Sequence, residues 1–202
     1  MNPSLYTRPK GRLNTRASVP TWSELAGGET PAKPAREPLL TVPAHLECHV
    51  TPESVASEMV YWLPDLAGKY VLEPSAGTGA LLDAVRAAHP EAILKGVEIY
   101  RPLYERLIRK GFEVYCDDFA DWATHQPASF DAVIMNPPFR KVREHIKTAL
   151  GLLKDGGALV ALVPVTFQGG DEIMRLDADT FSAAKVHTKI IKIVKGETYD
   201  QT

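Results

Sequence analysis

The chain has 202 residues, 45% of them apolar and 24% charged, with a net charge of −2, which suits one globular domain with a sizeable core and gives no overall case for a nucleic-acid partner. No apolar run approaches the ~18 residues of a membrane span, and the first residues lack the apolar core of a secretory signal, so no membrane is expected and the cytoplasm is the expected compartment. Cys48 and Cys116 are far apart and outside any CxxC pattern, reading as reduced thiols; Cys48-His49 lacks two further ligands, so no metal is expected.

Residues 1–45 are rich in Pro, Arg, Ser, Thr and Gly and read as an irregular arm, with one short helix near Thr21–Ala26. Within it, residues 1–36 hold six Lys or Arg against two acids, a balance of +4 that leaves −6 for the rest. A basic arm on an acidic body suits phosphate contact. A solubilising disordered leader explains it equally well. The folded domain is expected over 46–202, beginning near Cys48. Thr51-Pro52-Glu53 reads as a helix start, with Thr51 as N-cap and Pro52 in the first position. Val55, Met59 and Val60 then recur at helical spacing until Pro64.

Strands and helices alternate from there. Strands are expected at Tyr70–Glu73, Ile93–Glu98, Glu113–Cys116, Phe130–Met135 and Ala158–Val163. Helices are expected at Ala80–Ala88, Pro102–Lys110 and Arg143–Leu153, the last closed by Lys154-Asp155-Gly156-Gly157. Such alternation argues a parallel sheet covered by helices. Glu172–Leu176 and Lys185–Lys195 read as an antiparallel pair turning through Asp177–Phe181. The linker Pro164–Asp171 is too short for another helix. One face of the sheet is therefore expected to need a cover, from the arm, a partner or a second copy.

Two stretches carry the chemistry. Val71-Leu72-Glu73-Pro74-Ser75-Ala76-Gly77-Thr78-Gly79 runs from the first strand into a helix. It is neither a dinucleotide fingerprint, since Ala80-Leu81-Leu82 follows Gly79, nor a P-loop, since Gly-Lys-Ser/Thr is absent. Glycine lets the backbone approach a ligand, and the helix start offers free N–H groups. Asn136-Pro137-Pro138-Phe139 ends the apolar run Ala132–Met135, putting an amide, prolyl carbonyls and a ring at the lip of the sheet.

Together these stretches resemble the S-adenosylmethionine (SAM) dependent amino-methyltransferases, most closely the adenine-N6 DNA methyltransferases. The resemblance runs to about residue 195. It implies an α/β, Rossmann-like class I methyltransferase fold: a seven-stranded, mostly parallel sheet with a C-terminal antiparallel pair. It implies SAM as cofactor, held by the loop Glu73, Ser75, Ala76, Gly77 and Gly79. Glu98, with Ile99 beside it, would accept the ribose hydroxyls; an ordinary loop carboxylate is the plainer reading. Asp117 or Asp118, with Asp118 preferred, would accept from the adenine amine of SAM; Asp118 could equally cap a helix after Phe119. Thr51 matches a helix start that flanks SAM in this family, though capping alone explains it. Asn136 belongs to the cofactor set as well as the catalytic one.

A nucleobase amine is a poor nucleophile because its lone pair is delocalised. Acceptance of its two N–H bonds by the Asn136 amide oxygen and the Pro137 carbonyl would bias it toward a tetrahedral geometry, and Phe139 would stack on the ring. Read structurally, the same four residues are a strand-ending turn. Arg140, Lys141, Arg143 and Lys147 follow where phosphates beside an extruded base would lie, or form a solvated helix face. No insertion large enough for a target-recognition domain follows Phe139 or residue 195, so recognition should be short or loose, as in a compact phage or mobile-element enzyme. The expected partner is nucleic acid, DNA first. Asn-Pro-Pro-aromatic also occurs in guanine-N2 RNA and protein-glutamine methyltransferases, and an inactive SAM-binding subunit is the rival of another class.

Overall fold

The computed structural model describes residues 42–43, 50–177, 180 and 187–196. The arm of residues 1–41, Cys48-His49 and the tail from residue 197 lie outside the described residues, as does the short helix expected near Thr21–Ala26. The elements follow the expected alternation: α1 (Glu53–Tyr61), β1 (Tyr70–Pro74), α2 (Ala80–Ala88), β2 (Ile93–Val97), α3 (Arg101–Arg109), β3 (Glu113–Tyr115), α4 (Phe119–Ala123), β4 (Phe130–Met135), α5 (Val142–Leu152), β5 (Leu153–Pro164), β6 (Asp171–Leu176) and β7 (Thr188–Val194). A 3₁₀ turn, Phe139–Lys141, leads into α5.

The strands form one seven-stranded sheet in the order β3-β2-β1-β4-β5-β7-β6. β1 to β5 pair in parallel, and β7 is antiparallel to both β5 and β6. This is the fold of class I methyltransferases, with the C-terminal antiparallel pair in place. The central strands are buried on both faces, as their unbroken apolar runs require: Ala132, Val133, Ile134 and Met135 are all at 0% exposure. On one face Val55 and Met59 of α1 and Leu81 and Val85 of α2 cover Val71, Ile134 and Leu162. On the other, Trp122 of α4 and Ile146 and Ala149 of α5 cover Val133, Leu159 and Ala161. The edge strand β6 carries Asp171, Glu172 and Arg175 on exposed positions, which discourages edge-to-edge pairing.

Two expectations need correction. Thr51 is not the N-cap of α1: Pro52 holds that position, no side chain caps it, and the Thr51 hydroxyl is engaged by Asn136 instead. Lys154-Asp155-Gly156-Gly157, expected to close the helix ahead of a strand at Ala158, is part of that strand. β5 begins at Leu153, directly after α5, because Leu153 pairs with Phe130 across a register shift and Gly156 and Gly157 pair with Lys195. Gly156 takes φ +77 there, a conformation glycine adopts without strain. In addition, the short helix α4 occupies a segment where the sequence offers only a possible cap at Asp118.

No helix intervenes between β5 and β6 among the described residues. Phe167, from that linker, joins Ile191 and Ile193 of β7 in the core below α5.

Candidate active site

The strand order reverses between β1 and β4, and a cleft of about 390 Å³ opens there, beyond the carboxyl ends of the parallel strands. That is where ligands lie in open α/β sheets. Its walls come from the loop after β1 (Glu73 and Ser75 to Thr78), the end of β2 (Val97 to Ile99), the segment after β3 (Asp117 to Phe119) and the turn after β4 (Asn136, Pro138, Arg140, Lys141). Thr51, Val42, Ala80, Leu103 and His145 complete it.

The loop after β1 is built tightly. Gly77 takes φ +54 and Gly79, the N-cap of α2, φ +79. Ser75 takes φ +59, the one described non-glycine residue with a positive φ. Glu73 is 3% exposed, and its Oε2 accepts from the Leu82 N–H in the first turn of α2. Burial pushes its carboxyl well above the usual glutamate range, against the lowering effect of the Leu82 bond. From outside, the Lys110 ammonium donates to the Thr78 carbonyl at 2.8 Å and to Asp83 at 2.6 Å.

Glu98 ties β2 to this loop. Its Oε2 accepts from Gly77 N–H and its Oε1 from Tyr100 N–H, each at 2.7 Å. Burial raises its pKa, and the two backbone bonds oppose the rise. An ionised carboxylate offers about four lone-pair sites. Two are used, so the chemistry of the group leaves two for a diol. Asp118 is an N-cap: its Oδ1 accepts from Ala120 N–H at 2.8 Å, while Oδ2 lies 3.6 Å from the Lys141 ammonium. It still borders the cleft, so capping and ligand contact are compatible. Asp117 borders it too and accepts from Asp118 N–H.

At the end of β4, the Asn136 amide nitrogen donates to Thr51 Oγ1 at 3.1 Å. Thr51 is thus joined to the candidate catalytic amide across 85 residues of sequence, a role its place before a helix does not reveal. Gly79, Pro137, Phe139, Arg143 and Lys147 do not line the cleft. Phe139 opens the 3₁₀ turn beside it. Arg140 and Lys141 reach the cleft, whereas Arg143 sits over the Phe167 ring at 5.7 Å and Lys147 is exposed on α5. His145 is a cleft residue that the sequence reading does not single out. Its one signal is a histidine within the buried stripe Val142, Ile146, Ala149 and Leu152. Among the described residues no group of three His, Cys, Asp or Glu side chains is placed to hold a metal ion, and no helix is long and apolar enough to cross a membrane.

No protein-family profile matches the chain. In sequence it is similar to the type II methyltransferase M.CvrRI of Paramecium bursaria Chlorella virus XZ-6E, 33% identical over 91 residues. That match takes in 44% of this chain and only 23% of the viral protein. In structure it is similar to a candidate RNA methyltransferase of Pyrococcus horikoshii, at TM-score 0.61 and 21% identity over 77% of this chain and 90% of the other. An RNA methyltransferase of Salinibacter ruber, solved with S-adenosyl-L-homocysteine, matches at TM-score 0.58 and 12% identity, over 75% and 97% of the two chains. At these identities the structural likeness establishes the fold alone: a class I methyltransferase sheet with its ligand cleft at the switch point.

Proposed function

We propose that this chain is a SAM-dependent methyltransferase acting on the exocyclic amine of a nucleobase, adenine N6 in DNA. The observation that carries the reading is the turn Asn136-Pro137-Pro138-Phe139 at the end of β4, which brings Asn136 and Pro138 to the cleft lined by Glu73, Ser75–Thr78, Glu98 and Asp118. The viral type II methyltransferase favours a nucleic-acid substrate, and the S-adenosyl-L-homocysteine complex of the Salinibacter protein favours this cofactor. The residues present fit SAM: backbone amides of the loop, an acid at the end of β2 with lone pairs left, and an acid after β3 at the cleft wall.

SAM supplies an electrophilic methyl group when bound. Glu98 would hold the ribose diol, Asp118 would accept from the adenine amine, and the loop after β1 would offer its backbone amides. Asn136 Oδ1 and the Pro137 carbonyl accept the two N–H groups of the target amine. Thr51 orients the Asn136 amide by taking its Nδ2 hydrogen. These acceptors strengthen as positive charge develops on the nitrogen, so they favour the transition state over the ground state. Phe139 stacks on the extruded base, and Arg140 and Lys141 meet the flanking phosphates.

The test is Asn136→Ala in single-turnover methylation of DNA, with the product identified by mass spectrometry. The rate should fall by at least ~10²-fold while SAM affinity stays within a few fold. A variant that methylates at the normal rate overturns the assigned mechanism. An N2-methylguanine or methylglutamine product from the wild type keeps the mechanism and overturns the substrate.

A further inference from the structure

His145 is 5% exposed, lies at the wall of the cleft, and has no part in the proposed mechanism. Its imidazole meets two of the segments that wall the cleft, and its own helix follows a third. Nδ1 is 3.5 Å from the Ser75 hydroxyl, a long contact, in the loop after β1. The ring packs on Phe119, at the start of α4 after β3, with centroids 5.3 Å apart and planes at 54°. Its own helix, α5, follows the Asn-Pro-Pro-Phe turn after β4.

Ser75 needs such support. A non-glycine residue at φ +59 costs on the order of 1 kcal/mol and persists only where its surroundings hold it. The neighbouring peptide is anchored by Ala76 N–H on the Val97 carbonyl. The Ser75 hydroxyl itself meets His145. The charged groups facing the ring are Lys141 from the 3₁₀ turn, Asp118 from the start of α4 and Glu144 from its own helix.

We infer that His145, as the neutral imidazole, is a positioning residue that locks the Ser75 loop to the helix behind the target turn, and that its protonation releases the loop. For the cofactor itself, this rests on the proposed SAM site. Burial first, and the Lys141 cation second, hold the ring below the ordinary histidine range. In the tautomer whose Nδ1 accepts from the Ser75 hydroxyl, protonation removes that acceptor and puts a buried cation beside Lys141. The lock is therefore closed at neutral pH and opens on acidification.

The experiment follows the backbone amides of Ser75–Gly79 and the His145 ring by NMR through an acid titration of the full chain. Loop and ring should move along one curve. His145→Asn keeps a polar atom near the Nδ1 position but cannot titrate, so the part of the loop's response that follows the ring should vanish, leaving the separate response to Glu73 and Glu98. Lys141→Met leaves the imidazole in place and should move both curves to higher pH. Loop resonances that stay flat while the ring titrates, or that shift identically in His145→Asn, overturn the inference. If His145→Asn does not fold, the Lys141→Met curves decide: a loop transition that stays put while the ring's moves is contrary. Calorimetry with SAM is the parallel arm. Wild-type affinity should fall in acid below the ring's midpoint, and in His145→Asn the fall should be shallower, with only the Glu98 protonation left to drive it. Absence of SAM binding at every pH sinks the cofactor reading, while the NMR curves still decide the lock. SAM binding with an indifferent loop sustains the cofactor reading and sinks the lock.

Discussion

Glu98→Gln separates two jobs held by one carboxylate, bracing the loop after β1 and gripping the ribose. In the wild type each oxygen accepts one backbone N–H at 2.7 Å, from Gly77 and from Tyr100. Glutamine has a single acceptor oxygen, so one bond becomes neutral and the other becomes an N–H facing an N–H. Charge-assisted bonds are worth ~1.5–3 kcal/mol, and an unsatisfied buried donor costs about as much. Removing a carboxylate that burial disfavours offsets part of the loss. The net destabilisation should be about 2 kcal/mol, or a fall in Tm of ~4–8 °C for a domain of this size. SAM affinity should fall in addition by ~10–100-fold, as the ribose diol loses an acceptor and the Gly77 turn loosens. Differential scanning calorimetry reads the first effect and titration calorimetry the second. A variant with unchanged Tm and unchanged affinity would refute both assignments. A lowered Tm with unchanged affinity would leave Glu98 as a loop brace only.

Other substitutions test neighbouring parts of the molecule. The folded-state pKa of Glu73 is raised, so its stability contribution is complete below the unfolded value near 4.5 and is lost as pH rises through the folded value. Glu73→Gln keeps an acceptor for Leu82 N–H without the buried charge; it should raise Tm at neutral pH, flatten the pH dependence above that value, and weaken SAM binding, while an unaltered pH–Tm curve would contradict the burial argument. Gly79→Ala should cost about 2–4 kcal/mol, because alanine is strained at φ +79 and its Cβ would stand 2.5 Å from Leu107 Cδ2 in the core; urea denaturation measures it, and a loss under ~0.5 kcal/mol is the contrary result. Deleting residues 1–45 should leave SAM affinity intact and weaken DNA binding with a shallower salt dependence, given the +4 balance of residues 1–36; equal binding and slope would make the arm a leader.

The order of elements is legible in the sequence because hydrophobic runs, Gly and Pro punctuate it. Ala80–Ala88 and Phe130–Met135 stand where periodicity puts them. What escapes depends on contacts between distant residues. Thr51 reads as a cap from its neighbours, yet its hydroxyl goes to Asn136. Lys154–Gly157 reads as the close of a helix, yet Lys195, just past β7, draws it into the sheet. Asp118 reads equally as a cap or a ligand; the fold lets one oxygen cap while the side chain still borders the cleft. His145 is invisible in the sequence because only the folded chain brings it to Ser75. Glu73, near the end of β1, and Glu98, Asp118 and Asn136, which follow the other strands, share one cleft because a parallel sheet gathers its strand ends on one side.

Methyl transfer to a nucleobase amine can be assayed in a single reaction. The full chain is incubated with SAM labelled in its methyl group and with separate pools of DNA, RNA and protein, and the products are digested and analysed by mass spectrometry. Label should enter DNA, be recovered as N6-methyladenine, and be absent from the Asn136→Ala reaction. No label in any pool, from a protein that binds SAM, would contradict the claim and leave a cofactor-binding subunit in its place.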